Sequence, residues 1–233
     1  MKTVIVTGGS GGIGSEICKV FRQKGYNTAL IYNKNYENAL KIKQTSGAYI
    51  YQADVTDAKS IECAFSQIKK DFGQISAIIN CAGITKRKLF LDFTDSDFDN
   101  IFSVNLKGVC ICCQKVLPYL LENGGHIINI SSIWGERPAS CEVVYSASKG
   151  GVNMLSKSLA EELYYSNVRV NTLSLGYVET SMNSGITQEE VQDFLLAQGL
   201  SRKIEPIEVG EKCLKIIKAN KTGKNYRLYG NKK

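Results

Sequence analysis

Histidine and tryptophan each occur once in this sequence, as His126 and Trp134, and proline occurs three times in 233 residues. A structural or catalytic metal centre needs about four ligands, so one His leaves that task to cysteine. Of the eight Cys, only Cys110 and Cys113 form a C-x-x-C, and no second pair stands beside it. That pair lies inside the apolar stretch "NLKGVCICCQKVL", which reads as a helix and not as the strand-to-helix turn of a redox motif. No metal and no thiol redox centre is expected. The start, "MKTVIVTGG", has no charged-then-apolar signal segment, and no apolar run of about 18 residues is available to span a bilayer. These absences point to a cytoplasmic protein with reduced thiols and no membrane partner. The net charge is +7, yet the longest basic run is Lys86–Lys88. Without a dense basic tract, nucleic acid is not expected as a partner, whereas a small anionic ligand suits the charge. No Pro/Ser-rich linker, repeat or low-complexity tract divides the chain, so residues 1–233 read as one domain.

What is present is alternation. The β-branched run Thr3–Thr7 is followed by Ile13, Ile17, Val20 and Phe21, which recur at helical spacing. Further strand-like runs are Thr28–Tyr32, "YIYQADV", Ile75–Asn80, His126–Ser131 and Arg169–Leu175. Helical patterns fall between them: "NYENALKIKQTSG", "SIECAFSQIKKDFG", Asn105–Leu121 and Tyr145–Tyr165. Strands alternating with helices predict a Rossmann-like α/β fold. Its doubly wound parallel sheet would have about seven strands, with helices on both faces.

The turn after the first strand is "TGGSGGIG", Thr7–Gly14. Glycine lets the backbone turn sharply and approach a ligand closely. The following helix directs its free N–H groups and positive dipole end at that turn, which favours a pyrophosphate. Gly9, Gly11 and Gly14 fit G-x-G-x-x-G, and the position between strand and helix makes this a dinucleotide turn. An acid about 20 residues on commonly holds the ribose 2′-hydroxyl. Here Asn33 and Lys34 occupy that neighbourhood and no carboxylate appears until Glu37. A cation there suits a 2′-phosphate, so NADP(H) is favoured over NAD(H).

Further motifs stand in order along the chain: Asp54 in "ADVT", "NCAG" at Asn80–Gly83, Asn105 in "SVNL", Ser132 closing "NISS", and "YSASK" with Tyr145 and Lys149. Together with the glycine turn they make the chain resemble the short-chain dehydrogenase/reductase family, and within it the 3-oxoacyl-acyl-carrier-protein reductases. In that resemblance Gly8, Gly12 and Gly14 are the family glycines. Ser10, Ile13, Asn33, Lys34, Asp54, Val55, Asn80, Ala82, Gly83, Gly176, Val178 and Thr180 are then cofactor-binding positions, with Tyr145 and Lys149 shared between cofactor and catalysis. The resemblance implies reduction of a carbonyl. Tyr145 gives the proton, Ser132 bonds the carbonyl oxygen, Lys149 holds the nicotinamide ribose, and Asn105 anchors a water that refills the proton through Lys149. Tyr145 and Lys149 lie on one helix face, where a nearby ammonium is expected to lower the phenol pKa toward neutrality.

A 3-oxoacyl thioester is the expected substrate. The alternatives are a small ketone, a sugar or a steroid-like alcohol, or a nucleotide-sensing protein without turnover. The loops 139–144 and 182–199 are expected to set this choice, with Trp134 and Tyr177 either lining it or packing beside it. Leu175 replaces a proline common in the family, which predicts a looser turn at Gly176. The apolar circumferences of the helices at 105–121 and 145–165 predict a homotetramer, with a dimer second, and Val109 or Leu155 buried between subunits.

Overall fold

The computed structural model describes residues 1–180 and 185–231. Among these, seven strands form one parallel sheet: β1 (Thr3–Thr7), β2 (Asn27–Tyr32), β3 (Tyr49–Gln52), β4 (Ala77–Asn80), β5 (Gly125–Ser132), β6 (Val168–Leu175) and β7 (Asn225–Leu228). Their order in space is β3-β2-β1-β4-β5-β6-β7. The connecting helices are α1 (Gly12–Gln23), α2 (Tyr36–Ser46), α3 (Ala58–Phe72), α4 (Asp95–Phe102), α5 (Gly108–Asn123), α6 (Val143–Glu162), α7 (Gln188–Ala197) and α8 (Pro206–Ala219). The predicted doubly wound sheet is therefore present. Helices α4, α7 and α8 are additional to the alternating series read from the sequence.

The period of two in each strand divides the core. Val4 and Val6 of β1, Ala77 and Ile79 of β4, and Ile128 and Ile130 of β5 face α1, α2 and α8. Ile5, Ile78 and Ile127 face α3, α5 and α6 instead. Each such Val or Ile side chain, taken fully out of water, contributes roughly 1.5–3 kcal/mol. A strand buried on both faces needs apolar residues throughout, which is why "TVIVT" and "AIIN" carry no charge.

Val109 is 5% exposed and packs in the α3–α5–α6 core. The expectation that it faces a neighbouring subunit is thus wrong for Val109: it points at the sheet. Leu155 is only partly buried at the edge of the same core. The continuous helical run Asp95–Asn123 is long and apolar enough by length and composition to cross a membrane. No single uninterrupted apolar run revealed it, because three segments join to make it. Its residues Ile101, Val109, Cys112, Cys113, Val116 and Leu120 are buried inside the protein.

Strand order reverses between β1 and β4, and such a switch point opens a crevice at the carboxyl ends of the strands. The residues that leave those ends are the ones with the sequence motifs.

Candidate active site

At the end of β1 the backbone geometry demands glycine at two positions. Gly8 has φ +63°, and a Cβ there would lie 2.7 Å from the Ala82 Cα. A Cβ on Gly14 would lie 2.3 Å from the Gly8 carbonyl oxygen. The Thr7 hydroxyl accepts from the backbone N–H groups of Cys81 (3.1 Å) and Ala82 (3.3 Å), which ties the glycine turn to the end of β4. Gly11 caps α1 without a side-chain bond, so the N–H groups of the first turn remain for an anion. They border a cavity of about 560 Å³ lined by Gly8, Ser10, Gly12, Ile13, Gly14, Asn33, Lys34, Asp54, Val55, Ala82, Gly83 and Thr180. This is a cradle of backbone donors with a narrow glycine floor, and a pyrophosphate-bearing dinucleotide fits it.

The outer wall of that cavity is polar. Asn33 donates to Asp54 Oδ2 at 2.9 Å, and Asp54 Oδ1 accepts from the Thr56 N–H and hydroxyl at 2.9 and 2.8 Å. The Thr56 backbone bond leads the causes that hold the Asp54 carboxyl below its usual range. Lys34 is exposed and also draws that pKa down. Asn38 donates to the Ser10 carbonyl, joining α2 to the glycine turn.

A second cavity, about 200 Å³, shares Ile13, Cys81, Gly83 and Thr180 with the first. Ser132, Tyr145 and Lys149 all line it, together with Gly176, Val178 and Thr180. Ser132 ends β5, while Tyr145 and Lys149 lie one turn apart at the start of α6. The Ser132 hydroxyl acts on the Tyr145 phenol in the direction that lowers its pKa. Lys149 is 5% exposed, and its Nζ donates to the Ile130 carbonyl at 3.0 Å. Burial lowers its pKa to about 8.

The phenol differs from expectation. Burial raises the Tyr145 pKa, and Glu142 adds to the rise. The Lys149 ammonium lies 5.7 Å from the ring centroid and spends a donor on Ile130, so it does not offset the loss of water. Tyr145 therefore stays protonated, which is the state a proton donor requires.

Two sequence candidates sit differently from the rest. The Asn80 side chain is 2% exposed, lies outside both cavities, and donates to Asn129 Oδ1 at 2.7 Å. Asn129 in turn donates to Ser156 at 2.8 Å. This buried chain joins β4, β5 and α6, and Asn129 and Ser156 had no motif to announce them. Asn105 is fully buried in a π-helical turn, Ser103–Lys107, a distortion frequent at functional sites. Its amide accepts from the Ile84 N–H at 2.8 Å and donates to the Ile84 carbonyl at 2.9 Å and to Ser148 at 3.1 Å. The side chain is thus committed to the protein and fixes the strand end beside Gly83 and Lys149.

The turn at Leu175 is not loose. Gly176 N–H donates to Leu228 at 2.8 Å, Ile204 N–H donates to Tyr177 at 2.8 Å, and Val178 pairs with Ile204. Trp134 and Tyr177 both line the second cavity and both pack on Phe194 of α7, at ring distances of 5.4 and 6.0 Å. Both readings of these aromatics are therefore true at once. Of the expected substrate loop, residues 182–184 lie outside the described residues. Thr85, Arg87 and Glu142 also line this cavity, and no sequence motif singled them out. The Cys110 and Cys113 thiols are free, burial raises both pKa values, and no metal-binding cluster is found among the described residues.

A glycine-cradled dinucleotide cleft joined to a Ser–Tyr–Lys cavity defines an oxidoreductase of the Rossmann type. The chain belongs to the short chain dehydrogenase family, whose profile matches residues 2–191. It is 34% identical over 220 residues to carbonyl reductase family member 4 of Xenopus laevis, covering 94% of this chain and 92% of that protein. It is 32% identical over 207 residues to the 3-oxoacyl-acyl-carrier-protein reductase FabG of Staphylococcus aureus, covering 86% and 84%. It is 31% identical over 224 residues to the acetoacetyl-CoA reductase of Rhizobium meliloti, covering 95% and 92%. The crystal structure of a dehydrogenase/reductase from Sinorhizobium meliloti superposes with a TM-score of 0.91 at 28% identity, over 98% of this chain and 94% of that one.

Proposed function

We propose that this enzyme reduces a 3-oxoacyl thioester to the 3-hydroxyacyl thioester with NADPH. The observation that carries the reading is the meeting of Ser132, Tyr145 and Lys149 where a dinucleotide cavity opens into a second, mostly apolar one. The nicotinamide, when bound, supplies the hydride that reduces the carbonyl carbon. Ser132 bonds the carbonyl oxygen, and Tyr145 gives it a proton as the C=O double bond becomes C–O–H. Lys149 holds the ribose and carries positive charge beside the phenol that loses its proton. Asn105 keeps Gly83 and Lys149 in place through its bonds to Ile84 and Ser148. The names of the relatives, which include a carbonyl reductase, a 3-oxoacyl reductase and an acetoacetyl-CoA reductase, support a carbonyl substrate with a thioester nearby.

Lys34 beside the Asn33–Asp54 wall favours NADPH over NADH. We place the protein in the cytoplasm, with reduced thiols and without metal, nucleic-acid or membrane partners, and as a homotetramer. Leu155, partly buried on α6 next to the exposed Met154, is the contact retained for that assembly. Leu155→Glu is expected to give smaller species in light scattering, because assembly would bury an unpaired carboxylate. A native mass near 25.7 kDa would overturn the tetramer.

The activity is tested with a panel of 3-oxoacyl thioesters, simple ketones and sugars, following nicotinamide absorbance with NADPH and with NADH. The highest kcat/KM is expected for a 3-oxoacyl thioester with NADPH. A sugar or a steroid-like ketone in first place would replace the substrate assignment.

A further inference from the structure

One wall of the substrate cavity holds polar groups that the reduction step does not use. Residues 84–88 follow β4 outside any helix or strand, and Thr85 and Arg87 both line the cavity. The Thr85 hydroxyl is buried and has no hydrogen-bond partner. Arg87 has no hydrogen bond from its side chain among the described residues. Its Nε lies 3.8 Å from Glu142 Oε1, an ion pair too long for a hydrogen bond. Its neighbours Lys86 and Lys88, by contrast, are both committed to Asp97 at 2.5 and 2.8 Å. Glu142 lines the same cavity as Trp134 and stands three residues before Tyr145 at the start of α6. Arg87 also feels Glu190 of α7, whose carboxylate caps its own helix through Thr187.

This wall therefore carries one unsatisfied hydroxyl and a guanidinium with unused N–H donors, steadied by a carboxylate. Among the described residues, the donors of this wall have no acceptor at hydrogen-bond distance. In a 3-oxoacyl ester or thioester, the second carbonyl carbon is two bonds along the chain from the carbon that receives hydride, and its oxygen is one bond beyond. We infer that Thr85 and Arg87 form the binding site for the second carbonyl oxygen of a 1,3-dicarbonyl substrate, with Glu142 as the residue that positions Arg87. The charge count adds a second consequence. Around Arg87 itself, Glu142 and Glu190 give two negative charges against one positive, while Lys149 supplies a second positive charge elsewhere in the same cavity. A neutral ester or thioester carbonyl is accepted there, whereas a free 3-oxo acid meets repulsion. The inference rests on the 3-oxoacyl reading above and names the residues that would enforce it.

The test uses the intact enzyme with NADPH and three probes: ethyl acetoacetate, its free acid acetoacetate, and the monoketone pentan-2-one. Arg87→Met and Thr85→Val remove donors and keep the side-chain volume close. Each is expected to lower kcat/KM for ethyl acetoacetate, Arg87→Met by about 10- to 100-fold as for a charge-assisted bond, chiefly through KM. Turnover of pentan-2-one should stay within about threefold, since nothing but the second carbonyl is lost. Glu142→Gln should narrow the preference for ester over free acid by on the order of tenfold, as expected for removing one charge at this range. A readout without turnover is available because Trp134 is the single tryptophan and lines the cavity. Its fluorescence, titrated with ethyl acetoacetate in the presence of NADP+, should give a weaker Kd in Arg87→Met and an unchanged response to pentan-2-one. Equal losses on ester and monoketone would make Arg87 a structural residue and overturn the inference alone, as would unchanged kinetics. A wild-type enzyme that reduces pentan-2-one and leaves ethyl acetoacetate untouched would overturn the 3-oxoacyl reading itself, and the second-carbonyl site with it.

Discussion

The dinucleotide half of the cleft is made of backbone, whereas the substrate half is made of side chains. In the first, Gly8 and Gly14 leave no room for a Cβ, and the N–H groups of α1 border the cavity. In the second, Arg87, Trp134, Glu142, Tyr145 and Phe194 come from four separate chain segments. A backbone site tolerates few residues at few positions. A side-chain site can be rewritten one residue at a time without disturbing the sheet that supports it. The same contrast appears between two lysines: Lys34 is exposed in the dinucleotide half, while Lys149 is buried at the junction with its charge made costly.

The sharpest way to break this comparison is to add one methyl group to the backbone half. Gly8→Ala places a Cβ 2.7 Å from Ala82 at a φ of +63°. Left-handed strain of about 1 kcal/mol adds to overpacking of about 1–3 kcal/mol. A lower Tm and loss of binding to both NADPH and NADH are expected in thermal melts with and without cofactor. An unchanged melt would show that the glycine floor is not rigid.

Next in size is Tyr145→Phe, which touches only the side-chain half. We expect kcat to fall at least ~100-fold from loss of the general acid, with the Kd for NADPH nearly unchanged. Near-native turnover would remove Tyr145 from proton transfer.

Lys34→Ala probes a place where the dinucleotide half depends on a charged side chain. NADPH should weaken by about 1–3 kcal/mol, as for a charge-assisted contact, and NADH by much less. A native enzyme that prefers NADH in kcat/KM would end the argument from this charge.

The smallest effect is a pH limb. Burial depresses the Lys149 pKa from its usual value to about 8, so the folded protein loses this proton while the unfolded chain still holds it. The sign follows directly. Below about pH 8 the ammonium is charged in the folded state at a stability cost, and that cost is relieved as pH rises toward the unfolded pKa. Activity runs the opposite way, since Tyr145 remains protonated and the reaction needs the Lys149 charge. The kcat/KM for reduction should fall as pH rises past about 8, while thermal stability does not fall for this reason. A profile flat to pH 10 would show that Lys149 acts without its charge.

Much of the dinucleotide half was legible because its requirements are local. A strand, a glycine turn and a helix start are contiguous, so Thr7, Gly8, Gly12 and Gly14 announce the turn, and period-two patterns mark β1, β4 and β5. Tyr145 and Lys149 are legible for the same reason, being one helical turn apart. Their shared face follows from the period of 3.6, but the electrostatic balance around them does not. The expected acidification of the phenol met a buried site in which desolvation outweighs a cation already bonded to Ile130.

What tertiary structure alone decided is which distant residues meet and how much water they keep. Val109 looks like surface on an apolar helix until the sheet covers it. Asn80 reads as a cofactor ligand until Asn129 and Ser156, 49 and 76 residues further along, take its hydrogen bond into the core. Arg87 and Glu142 lie 55 residues apart and acquire meaning only when the β4 loop and the start of α6 close on one cavity. Periodicity and turn chemistry act over a few bonds and are written in the order of the residues. Burial, charge pairing and the shape of a cavity depend on three-dimensional proximity, which that order constrains only through the packed fold.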